Sequence, residues 1–538
     1  MKKVRVIMLY TLFLLASGCL RAQDTKDLAN ELRIRIESVA DSRMMQVQGD
    51  LICCRQAVPQ FYNSRFFEPA WNEMLAHELI ESIRVSEYEG LNPKDYHLEQ
   101  LEYLLGKERL STYEKTDLEL LLTDSFLLFS SHLMSGKVNP QTIDTDWKVS
   151  RREGDPVKLL NEALEKRDIQ AMLEAVKPTF KAYKRLKDQL AKYRGIAEKG
   201  GWETIPIGET IKPDTRDSRI PLVRRRLRLT GDLKPYTYDE DNLYDEILQE
   251  AVKYFQKRHG LEEDANLGKM TLDAMNIPVN TRISQIELNL ERCRWLPQGL
   301  GSKYIMVNLP AFELEMVNEG SVEFEMIVAT GKPYRQTPVF SAKMTYLVFN
   351  PYWTIPPTIL SQDIIPAQMK NPNFLNSLNI KIIAADGSIV PSSSINWATA
   401  SLKNFRYTLR QDPGKNNALG QVKFIFPNPY NIYMHDTNHP EVFGKSDRAL
   451  SSGCIRLSRP LELANHILMT DTEWSEEKTR SILKSRQNYS VILKSPIQVH
   501  MQYWTCFVDE NGVLNFRKDI YSRDEKVLNV LKEPAPRI

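Results

Sequence analysis

The stretch YMHDTNHPEVFGKSDRALSSGCIRL occupies residues 433–457. Its short alternating start reads as a strand ending at His435, and its middle is rich in turn formers. Ser-Ser-Gly then delivers Cys454, nineteen residues after the histidine. A thiol used only for packing needs neither the glycine before it nor the arginine after it. A thiolate is a strong nucleophile but needs help to form near neutral pH. A histidine on a neighbouring strand can take the proton, giving a thiolate–imidazolium pair. If residues 451–457 supply that neighbouring strand, Gly453 leaves room for a substrate carbonyl. The N–H groups of Gly453 and Cys454 are then placed to stabilise an oxyanion. Two other readings use the same residues. His435, His439 and Cys454 are competent zinc ligands, but a structural site usually takes four, and no C-x-x-C or second cysteine accompanies them. An inert core cysteine is the blander reading.

Outward from this stretch, the sequence has a period of two. In FELEMV (312–317), Phe312, Leu314 and Met316 face one way and the glutamates the other. After a turn at Asn318, Glu319 and Gly320, VEFEMIV (322–328) alternates again, which predicts a β-hairpin with one buried face. VKFIF (422–426) and YSVIL (489–493) read as further strands. Between strands lies a proline-punctuated insert at about 355–407, with Trp353 and Pro356 at its root. A long excursion from a β-domain is often a lid or binding loop; the alternative is a decorative insertion.

The N-terminal part is helical in pattern. Residues 118–136, LELLLTDSFLLFSSHLMSG, are apolar almost all round and predict a buried helix closed by Gly136 and Pro140. His132 within it reads as a satisfied helix histidine rather than a ligand. Residues 205–220 carry Pro, Gly and Asp in quick succession and read as a linker. Beyond it, Ile220, Val223 and Leu227 share one helix face, and Leu248, Val252 and Phe255 share a second. Gly260 and Gly268 act as stops, and Thr271 is expected to cap a third helix. Arg224, Arg225 and Arg226 read as a solvated face.

Lys2, Lys3 and Arg5 precede a short apolar run, the pattern of a secretory signal. ASGC, ending at Cys19, resembles a lipobox that would leave a lipid anchor, whereas LRAQ permits cleavage after Ala22; both remain open. The chain has six cysteines. With Cys19 in the leader, the remaining Cys53, Cys54, Cys293, Cys454 and Cys506 do not make a disulfide framework in a chain of this length. A net charge of +2 gives no reason to expect a nucleic-acid partner.

The motif HDTNHPEVFGKSDRALSSGCIR resembles the signature of the YkuD-type L,D-transpeptidases: a histidine, a loop, then [S/T]-x-G-C-[I/V]-R. Ser451, Gly453, Cys454, Arg456 and His435 match its positions. Ser452 stands where the family often has histidine, so the group orienting His435 is open, and a backbone carbonyl could serve. AVKYFQKRHGLEEDANLGKMTLDAM (251–275) resembles the three-helix peptidoglycan-binding module, with Ala265 in place of a glycine. A helical spacer without binding function is its alternative. ATGKPYRQTPVFS, SQIELNLERCRWLP, FPNPYNIYMHDT and YWTCFVDENGVLNFRKDIY are similar to the large YcbB-like members.

The resemblance implies a multidomain α+β architecture. A leader at 1–22 precedes a helical scaffold at 24–210 and a peptidoglycan-binding module at 218–278. A β-rich catalytic domain at 300–500 carries the lid insert, and a C-terminal extension fills 501–538. It implies a periplasmic enzyme of a Gram-negative cell that forms 3→3 cross-links between peptidoglycan stem peptides, without a cofactor. Cys454 would be the nucleophile, His435 the general acid and base, and the Gly453 N–H an oxyanion donor. Tyr433, Ser451, Ser452, Arg456 and Trp353 would contact substrate, and carbapenems would acylate Cys454. An L,D-carboxypeptidase, an enzyme linking proteins to the wall and a non-catalytic wall-binding scaffold remain as alternatives, and other cell-wall synthesis proteins are candidate partners.

Overall fold

The computed structural model describes residues 23–38, 45–149, 151–234, 241–297, 299–471 and 473–535. The leader expected at 1–22, with Cys19, lies outside the described residues. Among them, no helix is long and apolar enough to cross a membrane.

The expected buried helix is α1, Thr112–Ser135. It starts on a capping box in which Ser111 and Glu114 satisfy each other's backbone N–H groups, and it ends at Gly136. Apolar residues occur all round it because other helices surround it, and its polar side chains are paired in place. Asp124 accepts the N–H groups of Cys53 and Cys54 at 2.9 and 2.7 Å. His132 bonds the Tyr96 hydroxyl at 3.0 Å, as a helix histidine would.

Helix α2, Lys181–Glu198, leads to the small module built from α3 (Ile220–Thr230), α4 (Glu246–Arg258) and α5 (Lys269–Asn276). Ile220, Val223, Leu227, Leu248, Val252, Phe255, Leu272 and Met275 form its core. Ala265 adopts a φ of +58°, the left-handed conformation that favours the glycine it replaces. Two local expectations fail here. Arg224 and Arg226 are buried, not solvated. Three consecutive helical residues span about 200° of the circumference, too much for one exposed face when both flanks are packed. Arg226 lies over the Trp202 ring at 3.7 Å and donates to Met275 O at 2.9 Å, while Arg224 donates to Leu243 O at 2.6 Å. Thr271 does not cap α5. Gly268 is the N-cap, and the Thr271 hydroxyl donates back to Asn266 O from inside the first turn.

Helix α6, Val279–Arg294, carries the chain into the β-domain. The strands there are β1 (Lys303–Asn308), β2 (Glu313–Asn318), β3 (Ser321–Gly331), β4 (Phe340–Phe349), β5 (Trp353–Thr354), β6 (Ile380–Ile383), β7 (Ile389–Val390), β8 (Thr408–Gln411), β9 (Val422–Ile425), β10 (Met434–His435), β11 (Ala449–Ser451), β12 (Ile455–Leu457) and β13 (Tyr489–Gln502). The predicted hairpin is β2–β3, with Leu314 opposite Met326 and Met316 opposite Phe324. Nine of these strands form one sheet in the order β11-β3-β12-β10-β9-β4-β13-β1-β2. Because β2 also pairs with β3, that sheet closes on itself around a core that includes Ile305, Leu347, Phe424, Met434 and Ile455.

The segment set apart as a C-terminal extension, 501–538, is part of this core as far as it is described. Strand β13 runs through the expected boundary, and Met501, Tyr503, Ile520, Tyr521, Val527 and Leu531 pack with the barrel residues. The insert is more than a loop. β5, β8, β6 and β7 form a separate four-stranded sheet in that order, over its own core of Ile355, Leu360, Ile364, Ile365, Leu375, Ile380, Ile382, Trp397 and Leu409. Its root is closed where Trp353 pairs with Gln411.

Candidate active site

Strands β10 and β12 run parallel, with Met434 opposite Ile455 and His435 opposite Arg456. Strand side chains alternate faces. Met434 and Ile455 therefore point into the barrel core, where both are fully buried. The residues flanking them emerge together on the other face: Tyr433 beside Cys454, His435 beside Arg456, with His435 diagonal to the cysteine. The main chain enforces this, since Ile455 N–H donates to Tyr433 O at 3.1 Å.

The open question of what orients His435 has a structural answer. Its Nδ1 lies 2.5 Å from the carbonyl oxygen of Asp436. A carbonyl can only accept, so Nδ1 carries the proton and the Nε2 lone pair is the basic one. Asp436 is itself held, its carboxylate accepting Gln421 N–H at 2.7 Å and Thr437 N–H at 2.7 Å. Burial, and then the charge of Arg456, depress the imidazole to about 3, so it stays neutral at physiological pH. Burial pushes the Cys454 thiol up to about 11, with the Tyr433 N–H, the Tyr433 hydroxyl and Arg456 acting against it. The Cys454 Sγ lies 3.8 Å from Asn431 O. Both shifts favour a neutral thiol and a neutral imidazole at rest over the ion pair expected from the sequence.

This has a measurable consequence. Alkylation of Cys454 by iodoacetamide should accelerate about tenfold per pH unit between roughly pH 7 and 10, as the thiolate fraction grows. Adduct mass on the peptide carrying Cys454 reads the rate. A plateau reached already near pH 6 would indicate a preformed ion pair.

The turn before Cys454 is built differently from the sequence reading. The Gly453 N–H donates to Ser451 Oγ at 3.0 Å, and the Ser451 hydroxyl donates to Cys454 O at 2.5 Å. Gly453 N–H is therefore engaged inside the turn, which removes it from the oxyanion role and leaves the Cys454 N–H as the backbone candidate. Gly453 is needed for conformation: its φ is +117°, and a Cβ there would lie 3.2 Å from Ile432 Cδ1. Ser451 is buried and organises the turn, whereas Ser452 is exposed. Trp353 packs on the insert's own core and is not brought to the cysteine. His439 is exposed and pairs with Glu441 at 3.0 Å. Among the described residues, no three His, Cys, Asp or Glu side chains gather into a set that could hold a metal ion.

Three residues that the motif does not contain hold this turn. Thr337 Oγ1 donates to Gly453 O at 2.8 Å and accepts Gly331 N–H at 3.0 Å. Tyr521, from the supposed extension, donates its hydroxyl to Gly331 O at 2.7 Å and accepts Thr337 N–H at 3.3 Å. Arg335 donates to Ser452 Oγ at 2.9 Å. Arg335 and Thr337 fall in ATGKPYRQTPVFS and Tyr521 in YWTCFVDENGVLNFRKDIY, stretches whose composition alone marks no chemistry.

Comparison with known proteins agrees with this architecture. Residues 302–480 match the family described as "L,D-transpeptidase catalytic domain", residues 56–190 match "Scaffold domain", and residues 216–275 match "Putative peptidoglycan binding domain". A Haemophilus influenzae protein named "Putative L,D-transpeptidase" is 32% identical over 243 residues, covering 45% of this chain and 48% of that protein. The chain thus spans about half the length of that curated relative. Among solved structures, an L,D-transpeptidase from Mycobacterium smegmatis is 13% identical, with 37% of this chain and 58% of that chain covered at a TM-score of 0.19. One from Stackebrandtia nassauensis is also 13% identical, with 55% and 97% covered at a TM-score of 0.22. TM-scores this low carry no fold assignment. Residues 302–480 thus match the L,D-transpeptidase catalytic domain family, in one chain with segments that match a scaffold domain and a peptidoglycan-binding domain.

Proposed function

We propose that the chain is an exported peptidoglycan L,D-transpeptidase that forms 3→3 cross-links between stem peptides through a thioester on Cys454. The observation that carries this reading is the parallel β10–β12 register, which puts Tyr433, His435, Cys454 and Arg456 on one face with the Nε2 of His435 free to act as base. Cys454 Sγ attacks the carbonyl of the third stem residue as His435 takes the thiol proton. Collapse breaks the amide, His435 returns the proton to the leaving amine, and the terminal D-amino acid departs. The side-chain amine of a second stem then attacks the thioester and gives its proton to His435, and the sulfur leaves as the restored thiol. The Cys454 N–H and the Tyr433 hydroxyl, which bonds Cys454, would donate to the developing charge. The three-helix module would hold the enzyme on the wall.

Muropeptide mass spectrometry, on cells with and without the gene, tests the reading: 3→3 dimers should fall in its absence. Tripeptides falling instead would indicate a carboxypeptidase, and loss of wall-bound protein would indicate a protein-anchoring enzyme. The insert supplies a second test. As a lid it would exclude water, which competes with the acceptor amine for the thioester. Replacing residues 355–407 with a short Gly-Ser linker removes a unit that has its own core. The ratio of hydrolysed tripeptide to dimer should then rise, and donor turnover should fall. An unchanged product ratio at normal turnover would exclude the lid role.

A further inference from the structure

Arg335 stands where three elements meet. Its backbone belongs to the turn at 331–337, which is tied to the nucleophile's turn: Lys332 N–H donates to Ser451 O at 3.0 Å, and Thr337 Oγ1 to Gly453 O at 2.8 Å. Its side chain, 11% exposed, donates to Ser452 Oγ at 2.9 Å. It also donates to both carboxylate oxygens of Asp363, at 2.6 and 2.9 Å, and to Gln362 Oε1 at 2.9 and 3.2 Å. Asp363 and Gln362 lie on the insert, and the Asp363 side chain is 45% exposed. The cation is therefore positioned by the catalytic domain, while its counter-ion sits on a separately packed unit. Ser452 is two residues before Cys454, so any carboxylate held by this guanidinium lies next to the nucleophile's turn.

A planar guanidinium forms its strongest contacts with a carboxylate taken two-pronged, and one carboxylate can replace another without changing the geometry. We propose that Arg335 is the receptor for a carboxylate of the donor stem peptide, and that Asp363 occupies the receptor until the donor displaces it. This rests on the transpeptidase reading above. A donor whose last residue departs as a free amino acid bears a carboxylate on that residue, and acidic stem residues bear others; both present the same two oxygens. Displacement frees Asp363 from the turn, so donor arrival and movement of the insert are coupled. It also gives Ser452 a role other than orienting His435: its hydroxyl steadies the guanidinium.

Steady-state kinetics of the full chain on a tetrapeptide donor test this. Arg335→Gln should raise KM roughly 10- to 100-fold, with a smaller fall in kcat, and Arg335→Lys should recover part of the loss. Asp363→Asn should act in the opposite sense and lower KM severalfold, because the competitor is gone. A donor carrying a carboxamide in place of its terminal carboxylate should be poor for the wild type but no worse than the ordinary donor for Arg335→Gln. If that discrimination instead follows amidation of the third residue's side-chain carboxylate, the same receptor reads that group. The proposal is overturned if Asp363→Asn raises KM as Arg335→Gln does, since the ion pair would then only hold the insert in place. It is also overturned if Arg335→Gln leaves KM and the response to both amidated donors unchanged while the wild type turns over normally. A wild type inert toward every stem donor would instead remove the transpeptidase reading, and this proposal with it.

Discussion

Replacing Cys454 by Ala is expected to lower donor turnover by about 10,000-fold or more, the scale seen when a covalent nucleophile is removed. A carbapenem adduct is expected on the wild type and should vanish with the thiol. Among the described residues no other thiol is placed to take over. Cys53, Cys54, Cys293 and Cys506 are buried, and burial pushes the Cys293 thiol to about 12 and raises those of Cys54 and Cys506 as well. The fold should survive, because the turn is held by Ser451, Thr337 and Tyr521, and removal of the sulfur costs only its weak contacts to Asn431 O and the Tyr433 hydroxyl. Intact-protein mass before and after carbapenem treatment reads the adduct, and a thermal melt reads the fold. An adduct persisting on another cysteine of the variant would transfer the nucleophile's role elsewhere.

How much of this was legible in the sequence depends on how local the controlling interaction is. The β2–β3 hairpin was readable because its alternation and its turn lie within a few residues of each other. The pairing of His435 with the strand bearing Cys454 was readable because both strand ends flank a single loop. The groups that finish the site were not. Arg335 reaches Ser452 across 117 residues and Tyr521 reaches Gly331 across 190, and nothing in either local pattern announces the partner. The insert's independent core escaped notice because its apolar residues are separated by prolines and short elements that mimic a loop. The arginine run misled for another reason. A charge pattern predicts solvent only when nothing packs beside it, and Trp202 comes from beyond the linker to cover Arg226. Gly453 illustrates a subtler limit. The residue type was informative, but its role is the backbone angle rather than the N–H.

The largest effect on stability is expected at Glu291, far from the cysteine in sequence and outside the chemistry. It sits in SQIELNLERCRWLP on α6, fully buried. Its Oε1 accepts Val138 N–H at 2.7 Å and Trp295 Nε1–H at 3.1 Å, and its Oε2 accepts from Arg294 at 2.7 and 3.2 Å. Arg294, also fully buried, donates in turn to Glu89 O at 2.8 Å and to the Tyr183 hydroxyl at 3.1 Å. One carboxylate thus joins the end of the scaffold helix, α6 and the barrel, whose core includes Val138 and Trp295. Gly136 belongs to the same junction, since a Cβ there would lie 2.5 Å from Glu291 Oε1. Glu291→Ala would leave the Arg294 cation buried without its counter-ion and would orphan two further donors. Removing one partner of a buried pair costs about 3–5 kcal/mol, more than replacing both. The single variant should therefore melt well below the wild type, and Glu291→Gln, which keeps an acceptor of the same shape, should lose less. Glu291→Ala combined with Arg294→Met should regain part of the difference, because no unpaired charge remains. Activity per folded molecule should change little in all three variants, since none of these side chains touches the β10–β12 face. A full loss of turnover with an unchanged melt would mean that the junction positions the catalytic domain rather than holding it together.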